Sequence, residues 1–463
     1  MRPWSPLLLA LALPACTVGP DYKRPAVAGE AGHWIAPSGG SRVDLAAWRA
    51  LGDPSLSALI DRAMAANLDI REAEARLREA RAARDAAVGR QLPEIDATGS
   101  AQRQQLSKNG QLPVGNIPGL SRRFSLFDLG FDASWEIDLW GGARRAIEAA
   151  GRRADAATAR IDDVRLQIAA EVVRNYAELR SAQASLASAR KDAEAQQQIA
   201  TLVRQRFAAG EAARFDQTRA EGQARTTLAA VPGFEADAHQ AAYRLALLTG
   251  RPPEASLDLL ATPAPVPVPP GHIGLGLRSE ILRRRPDVRA AEADLAAASA
   301  DIGVETANLF PRLTLMGSVG QQARTIDDLG SGGSTHFQIG PSLRWPIFDF
   351  GRIRANIRAA GARADQAAAR YERAVLSALA DSETAANRFA SAQTALADRQ
   401  AARDQSMQSL DLAEQRYRAG EDDLLTLLDA QSADAAVDRS LTQARAQALE
   451  AYVALLKALG GPI

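Results

Sequence analysis

Phe127-Asp128-Leu129-Gly130-Phe131-Asp132-Ala133-Ser134-Trp135-Glu136-Ile137 alternates apolar residues with polar ones or glycine, without a break. A period of two predicts a strand with one apolar and one polar face. Beyond Gly141 the chain turns to Ala, Arg, Glu and Gln without proline, which predicts a long helix ending at Arg206-Phe207-Ala208-Ala209-Gly210-Glu211. The succession returns 210 positions later. Phe337, Ile339, Pro341, Leu343, Trp345 and Ile347 alternate with Gln338, Gly340, Ser342, Arg344 and Pro346, and a helical run ends at Arg416-Tyr417-Arg418-Ala419-Gly420-Glu421. Two copies of a strand-then-long-helix unit predict an internal duplication.

A weaker strand precedes each strong one. Ile95, Ala97, Gly99 and Ala101 alternate with polar residues, as do Leu313, Leu315, Gly317 and Val319. The intervening loops run from Ser107 to Ser121 and from Thr325 to Thr335, the first longer by about eight residues, as loop tips tolerate. The prediction is two β-hairpins, at 94–138 and 312–348.

The helix from about Arg144 to Ala208 spans on the order of 100 Å at 1.5 Å per residue. Ile161, Val164, Ile168, Val172, Tyr176, Leu179 and Leu186 mark a coiled-coil-like face on it. Helices are also predicted from Pro54 to about Arg90, from Ala212 to Thr249, from Leu277 to Asn308 and from Leu424 to Leu459. On length, Ala212–Thr249 stacked on Leu277–Asn308, and Leu424–Leu459 on Leu56–Arg90, each match one long helix. Each chain then offers four columns with hairpins at one end and turns at the other. The segments expected are a signal peptide (1–15), an N-terminal segment (16–54), a first repeat (55–250), a Pro-rich linker (251–277), a second repeat (278–460) and a tail (461–463).

Net charge is zero over 463 residues, so no basic footprint suggests nucleic acid. Four His and one Cys leave little for a metal or thiol site, and His33, His239, His272 and His336 lack ligand spacing. No apolar run reaches the roughly 18 residues of a membrane helix, so any crossing must use strands. Met1-Arg2-Pro3 followed by Leu7 to Leu13 reads as a signal peptide. Leu13-Pro14-Ala15-Cys16 is similar to a lipobox, which predicts acyl chains on Cys16 and no other attached group; ordinary cleavage leaving an incidental thiol is the alternative. Thr17 after the cysteine fits outer-membrane sorting.

Four strands cannot close a barrel alone, and lipid does not tolerate an open sheet edge. Two copies would give eight strands, which side chains fill; three give twelve, with room for water. Trp135, Trp140, Trp345 and Phe348, with Phe124, Phe310 and Phe350, fall at strand ends as an interfacial aromatic girdle would. The alternative is a soluble α+β protein whose hairpins pack on its own helices.

The sequence resembles the TolC-like outer-membrane efflux family, in its NodT-like lipoprotein branch, over essentially its whole length. The motifs that carry the resemblance are Cys16-Thr17-Val18-Gly19-Pro20-Asp21-Tyr22, Arg284-Arg285-Pro286-Asp287-Val288-Arg289 with Ala291-Glu292, Phe310-Pro311-Arg312-Leu313, Ile347-Phe348-Asp349-Phe350-Gly351 and Arg416-Tyr417-Arg418-Ala419-Gly420. It implies a mainly α chain with a transmembrane β-barrel: a homotrimer whose twelve strands continue into twelve helical columns in the periplasm. An equatorial collar is built from the termini and the linker. Such a protein is no enzyme but a passive gated exit duct, docked on a periplasmic adaptor and a proton-driven inner-membrane pump that expels drugs or other small toxic compounds. A duct for metal efflux or type I protein secretion, or a poreless structural coiled-coil lipoprotein, are the alternatives.

The resemblance maps a periplasmic gate carboxylate onto Asp422. Asp423 either reinforces a carboxylate ring that favours cations or points away. Arg416, like Arg206, is expected to hold the closed state by pairing with neighbouring carboxylates. Phe207, Gly210, Tyr417 and Gly420 are expected to meet the adaptor. The plainer alternatives are helix-start carboxylates acting on the macrodipole and glycine C-caps. Glu211-Ala212-Ala213-Arg214 lacks the carboxylate pair, so only the second turn is expected to line the constriction.

Overall fold

The structure, a computed structural model, describes residues 17–30, 32–36, 51–107, 121–271 and 273–461. The signal peptide, Cys16, His272, the tip of the first hairpin loop and residues 462–463 lie outside them. The helices are α1 (Pro54–Ala66), α2 (Leu68–Gly89), α3 (Gly142–Ala208), α4 (Arg214–Leu248), α5 (Leu257–Ala261), α6 (Arg278–Arg284), α7 (Pro286–Ala307), α8 (Arg352–Ala419) and α9 (Leu424–Ala458). The strands are β1 (Glu94–Gln105), β2 (Arg123–Ile137), β3 (Arg312–Ala323) and β4 (Thr335–Arg344). The chain divides into two compact units, each drawing on both repeats. One comprises Met1–Pro25, Leu77–Ala156 and Ala291–Tyr371; the other comprises Ala26–Arg76, Ala157–Ala290 and Glu372–Ile463.

The strand-bearing unit holds one antiparallel sheet in the order β1-β2-β3-β4. In the middle of the sheet the register puts like with like across all four strands. Ala97, Phe131, Val319 and Phe337 form one row, while Asp96, Asp132, Ser318 and Gln338 form the next. Adjacent rows face opposite ways, so one side of the sheet is apolar and the other polar. The apolar side is uncovered: Ile95, Leu129, Phe131, Val319, Phe337, Ile339 and Leu343 are all exposed. Among the described residues, β1 and β4 each pair on one edge only. β4 stops at Arg344, before the expected end of its hairpin, because Pro346 has no N–H to donate and the chain then turns. Ile347 and Phe348 therefore lie beyond the strand.

The second unit carries the main core. Leu56 and Leu59 of α1, Val172, Tyr176 and Leu179 of α3, Leu245 of α4, and Leu449, Tyr452 and Leu456 of α9 bury together. The N-terminal segment is clipped onto this unit by Glu383 of α8, which accepts the backbone N–H groups of Ile35 and Ala36, both at 2.9 Å, and Arg278 Nη2 at 2.7 Å. The Arg278 guanidinium also lies over the Trp34 ring, 4.9 Å from its centroid.

Two helices expected to be continuous are interrupted, and the interruptions decide what stacks on what. Asn67, extended at φ −64° and ψ 138°, ends α1. Its Oδ1 accepts from Asp69 and Ile70 N–H at 2.9 and 3.1 Å to start α2, and its Nδ2 donates to Leu248 O, the last carbonyl of α4, at 2.9 Å. Gly250 lies so close that a Cβ there would come 2.4 Å from Ala66 O. At the second joint Arg285 separates α6 from α7 and donates to Ala458 O at the end of α9, at 3.2 Å, while pairing with Asp287 at 2.7 Å and Asp381 at 3.2 Å. So α4 abuts α2, and α9 abuts α7, the reverse of the pairing expected from length. The physical reason is that one donor-rich side chain serves both ends: it satisfies orphan carbonyls of one helix while the next one starts.

Candidate functional site

The two helix reversals, α3 to α4 and α8 to α9, are built alike. Each long helix closes with a residue in the left-handed region, Gly210 at φ +80° and Gly420 at φ +77°. Gly210 N–H donates to Phe207 O at 3.0 Å and Glu211 N–H to Arg206 O at 2.8 Å; Gly420 and Glu421 repeat this at 3.1 and 3.0 Å. These are Schellman closures, so both glycines are helix C-caps, which was the plainer reading. The α4 and α9 ends close in the same way at Gly250 and Gly460, against Ala66 and Arg285. A Cβ at Gly210 or Gly420 would instead meet nothing within 4 Å. Among the described residues nothing crowds these two glycines, as close approach by another chain requires.

The turns differ in charge. In the second, Asp422 accepts two hydrogen bonds from Arg416, Nε at 2.7 Å and Nη2 at 3.0 Å, a bidentate pair that raises the Arg416 pKa. Asp423 points the other way: it is the N-cap of α9, accepting Thr426 N–H at 2.9 Å and its hydroxyl at 2.7 Å. These bonds hold its carboxyl below the usual range. So Asp423 carries the helix start, and Asp422 is held by Arg416.

In the first turn the positions 210 earlier are Ala212 and Ala213, and α4 starts without a side-chain cap. Arg206 lacks the carboxylate that Arg416 finds and reaches across to the other turn, donating to Tyr417 Oη at 3.1 Å with its guanidinium 5.5 Å from the ring centroid. Phe207 lies instead under the Arg214 guanidinium, at 5.8 Å.

Between the turns runs a groove of about 650 Å³ lined by Arg206, Glu211, Phe215, Tyr417, Asp422 and Leu425. Phe215 is 70% exposed and Leu425 is exposed too. They are 210 positions apart, an apolar pair at the starts of both return helices, and their recurrence was a signal the sequence reading passed over. The turns rest on a small cluster, chiefly Ala200, Val203, Ala220 and Ala224, so this end has little buried apolar area to resist opening.

The three tryptophans expected in an aromatic girdle stand where strands meet helices. Their indole N–H groups donate to backbone carbonyls: Trp135 to Gln91 O at 2.8 Å, Trp140 to Pro311 O at 2.9 Å and Trp345 to Leu309 O at 3.1 Å. Phe348 packs edge-on against Phe350, with centroids 4.6 Å apart. Cys16 lies outside the described residues, but Thr17 next to it sits against Gly141, where a Cβ would come 2.9 Å from the Thr17 Cα. Among the described residues, no group of His, Cys, Asp or Glu is arranged to hold a metal, and no helix is long and apolar enough to cross a membrane.

Comparison with known proteins accounts for this combination of an uncovered apolar sheet face and long helices. The family model described as outer membrane efflux protein matches residues 59–251 and 277–461. The chain is 34% identical to the pyoverdine export outer membrane protein OpmQ of Pseudomonas aeruginosa, over 89% of this chain and 86% of that protein. It is 30% identical to nodulation protein T of Rhizobium leguminosarum bv. trifolii, over 97% and 95%. Its fold superimposes on the outer-membrane channel OprN with a TM-score of 0.85 and 35% identity, covering 96% of this chain and 99% of that one. The chain belongs to the outer membrane efflux protein family, with the fold of its TolC-like channels and their place in the outer membrane.

Proposed function

We propose that this protein is the exit duct of a tripartite efflux system, working as a homotrimer with a periplasmic adaptor and a proton-driven inner-membrane pump. The observation that carries the reading is the four-stranded sheet, apolar and uncovered on one face, with both edges unpaired among the described residues. In a bilayer those edges must be closed, and three copies close twelve strands around a lumen lined by the polar rows. The cargo is small toxic or exported organic compounds, in keeping with relatives named for pyoverdine export and for solvent efflux.

The duct is passive. Its gate is the ring of second turns, with Asp422 from three copies around the axis and Arg416 holding each carboxylate in the closed state. Phe207, Gly210, Tyr417 and Gly420 present the bare turns to the adaptor. Acyl chains on Cys16 hold the N-terminus in the membrane beside the strand-to-helix junction that Thr17 touches. Planar-bilayer recording tests this function: the purified trimer should give small, cation-preferring steps, and a protein that gives no channels would remove the duct.

A further inference from the structure

The duplication builds the strand-to-helix junction twice, and the two copies have diverged. At the first, Ile137 to Glu148, the surface is occupied by the chain itself. Trp140 stacks on Phe310 with centroids 4.6 Å apart, and its carbonyl accepts Val18 N–H at 3.1 Å. Arg144 pairs with Asp138 at 3.3 Å, and Arg145 with Asp21 at 2.6 Å and Glu148 at 2.8 Å. The N-terminal segment of residues 17–21 thus packs on this junction and takes one of its cations, Arg145.

Among the described residues, no terminal segment covers the second junction, Ile347 to Arg358, in this way. Phe350 takes the place of Trp140 and is 91% exposed, and it is the one non-glycine residue described with positive φ, at +56°. Ile347 and Phe348 beside it are also exposed. Arg354, in the place of Arg144, has no hydrogen bond or ion pair among the described residues. Arg358 stands where the first junction has Glu148, a reversal of charge, and is likewise unpaired among them. Arg354 and Arg358 are four apart on one exposed face of α8. In sequence the aromatic cluster follows β4, whose Phe337, Ile339 and Leu343 are exposed as well. A left-handed backbone at a bulky residue is held only where the surroundings impose it, and here it aims the ring outward.

We infer that the second junction is a phospholipid site: Ile347, Phe348 and Phe350 enter the acyl layer while Arg354 and Arg358 bind the phosphate of an anionic headgroup. The inference rests on the outer-membrane location and not on the gate or the adaptor. Aromatic side chains favour the bilayer interface, and each basic residue near an anionic surface favours the anionic lipid about five-fold.

The test uses the full-length protein with benzoylphenylalanine in place of Phe350, in vesicles of phosphatidylethanolamine with a minority of phosphatidylglycerol. After irradiation, intact-mass analysis should show phospholipid adducts with phosphatidylglycerol enriched about five-fold or more over its share of the vesicle. R354Q/R358Q, in the same oligomeric state, should return that ratio to the vesicle's own. Placing the probe at Phe348 should give the same pattern. Crosslinked copies of this chain, no adducts, or adducts without enrichment would each overturn the inference. Efflux and channel formation can fail without affecting this readout, so the two readings fail separately.

Discussion

Arg206 and Tyr417 join the two helix reversals of one chain, by a hydrogen bond of 3.1 Å and a cation–π contact of 5.5 Å. They come from positions 206 and 417, nearly one repeat apart, and the link exists because position 212 is alanine where position 422 is aspartate. With alanine at 212, Arg206 has no counterpart of the Asp422 carboxylate and uses the ring of the other turn. The account predicts graded opening in single-channel recordings. Tyr417→Phe, which keeps the ring and loses the hydroxyl, should raise conductance slightly; Tyr417→Ala should raise it more, and equal values would mean the link does not hold the turns.

Asp422 and Arg416 make opposite predictions for ion selectivity. Asp422→Ala removes the carboxylate, so conductance should rise and cation preference fall. Arg416→Ala frees the carboxylate, so conductance should rise while cation preference increases. Reversal potentials in a salt gradient separate the two, and unchanged values in Asp422→Ala would take Asp422 out of the gate. Asp423→Ala should act differently again, loosening the start of α9 without a selectivity change of its own.

The Glu383 clamp is predicted to open in acid. Burial alone would raise the Glu383 carboxyl, but the N–H groups of Ile35 and Ala36 and the Arg278 guanidinium outweigh it and hold the pKa low. A carboxylate depressed in the folded state contributes fully above its unfolded value, near 4.3, and that contribution is lost as pH falls through the depressed value. Hydroxyl-radical labelling of Trp34 should stay low at neutral pH and rise below about pH 4. Glu383→Gln should show raised labelling at neutral pH; if it labels like the parent protein, the carboxylate is not what holds the segment.

The helix joints should be the costly places to mutate. Arg285→Ala leaves the Ala378 and Ala458 carbonyls without their buried donor and unpairs two partly exposed carboxylates, a loss of roughly 2–4 kcal/mol. Asn67→Ala removes a cap and a bond to α4 together, about 1–3 kcal/mol. Heat dissociation of the detergent-solubilised protein should shift in that order. Arg285→Lys should rescue little, since one ammonium cannot span the same carbonyl and carboxylates.

Much of this fold was legible in the sequence because the duplication supplies an internal control. Alternation at Phe127 and Phe337, and glycine after each long helix, mark the strands and turns twice. What the sequence did not disclose was the stacking. Length alone cannot say which helix ends meet; that is decided by Asn67 and Arg285, single polar residues whose partners are distant in sequence. Their local signals were present, an Asn ahead of Leu68-Asp69-Ile70 and a proline at 286, the first position of α7. At the turns, the pairing of Asp422 with Arg416 was within reach of the residues. The assignment of Asp423 to capping was settled only by where its oxygens point.

Docking at the turns is tested by photo-reactive residues at Ala209 and Ala419 in living cells. Both sit beside the bare glycines, so they should capture an adaptor of a proton-driven pump. Capture of an adaptor from an ATP-driven exporter would move the reading to peptide or protein secretion. Random envelope proteins, with the oligomer intact, would mean that these turns are not the docking tips.

In the membrane, β1 and β4, each unpaired on one edge among the described residues, are closed by neighbouring copies in the proposed duct. The most direct measurement of that closure is cysteine crosslinking between Thr98→Cys on β1 and Gln338→Cys on β4, which share the polar face, in the membrane, with a short bifunctional thiol reagent and denaturing electrophoresis. Closure by three copies predicts a ladder that stops at the trimer, with both cysteines required for it. Crosslinks confined to a single chain, or a ladder ending at the dimer, would contradict it.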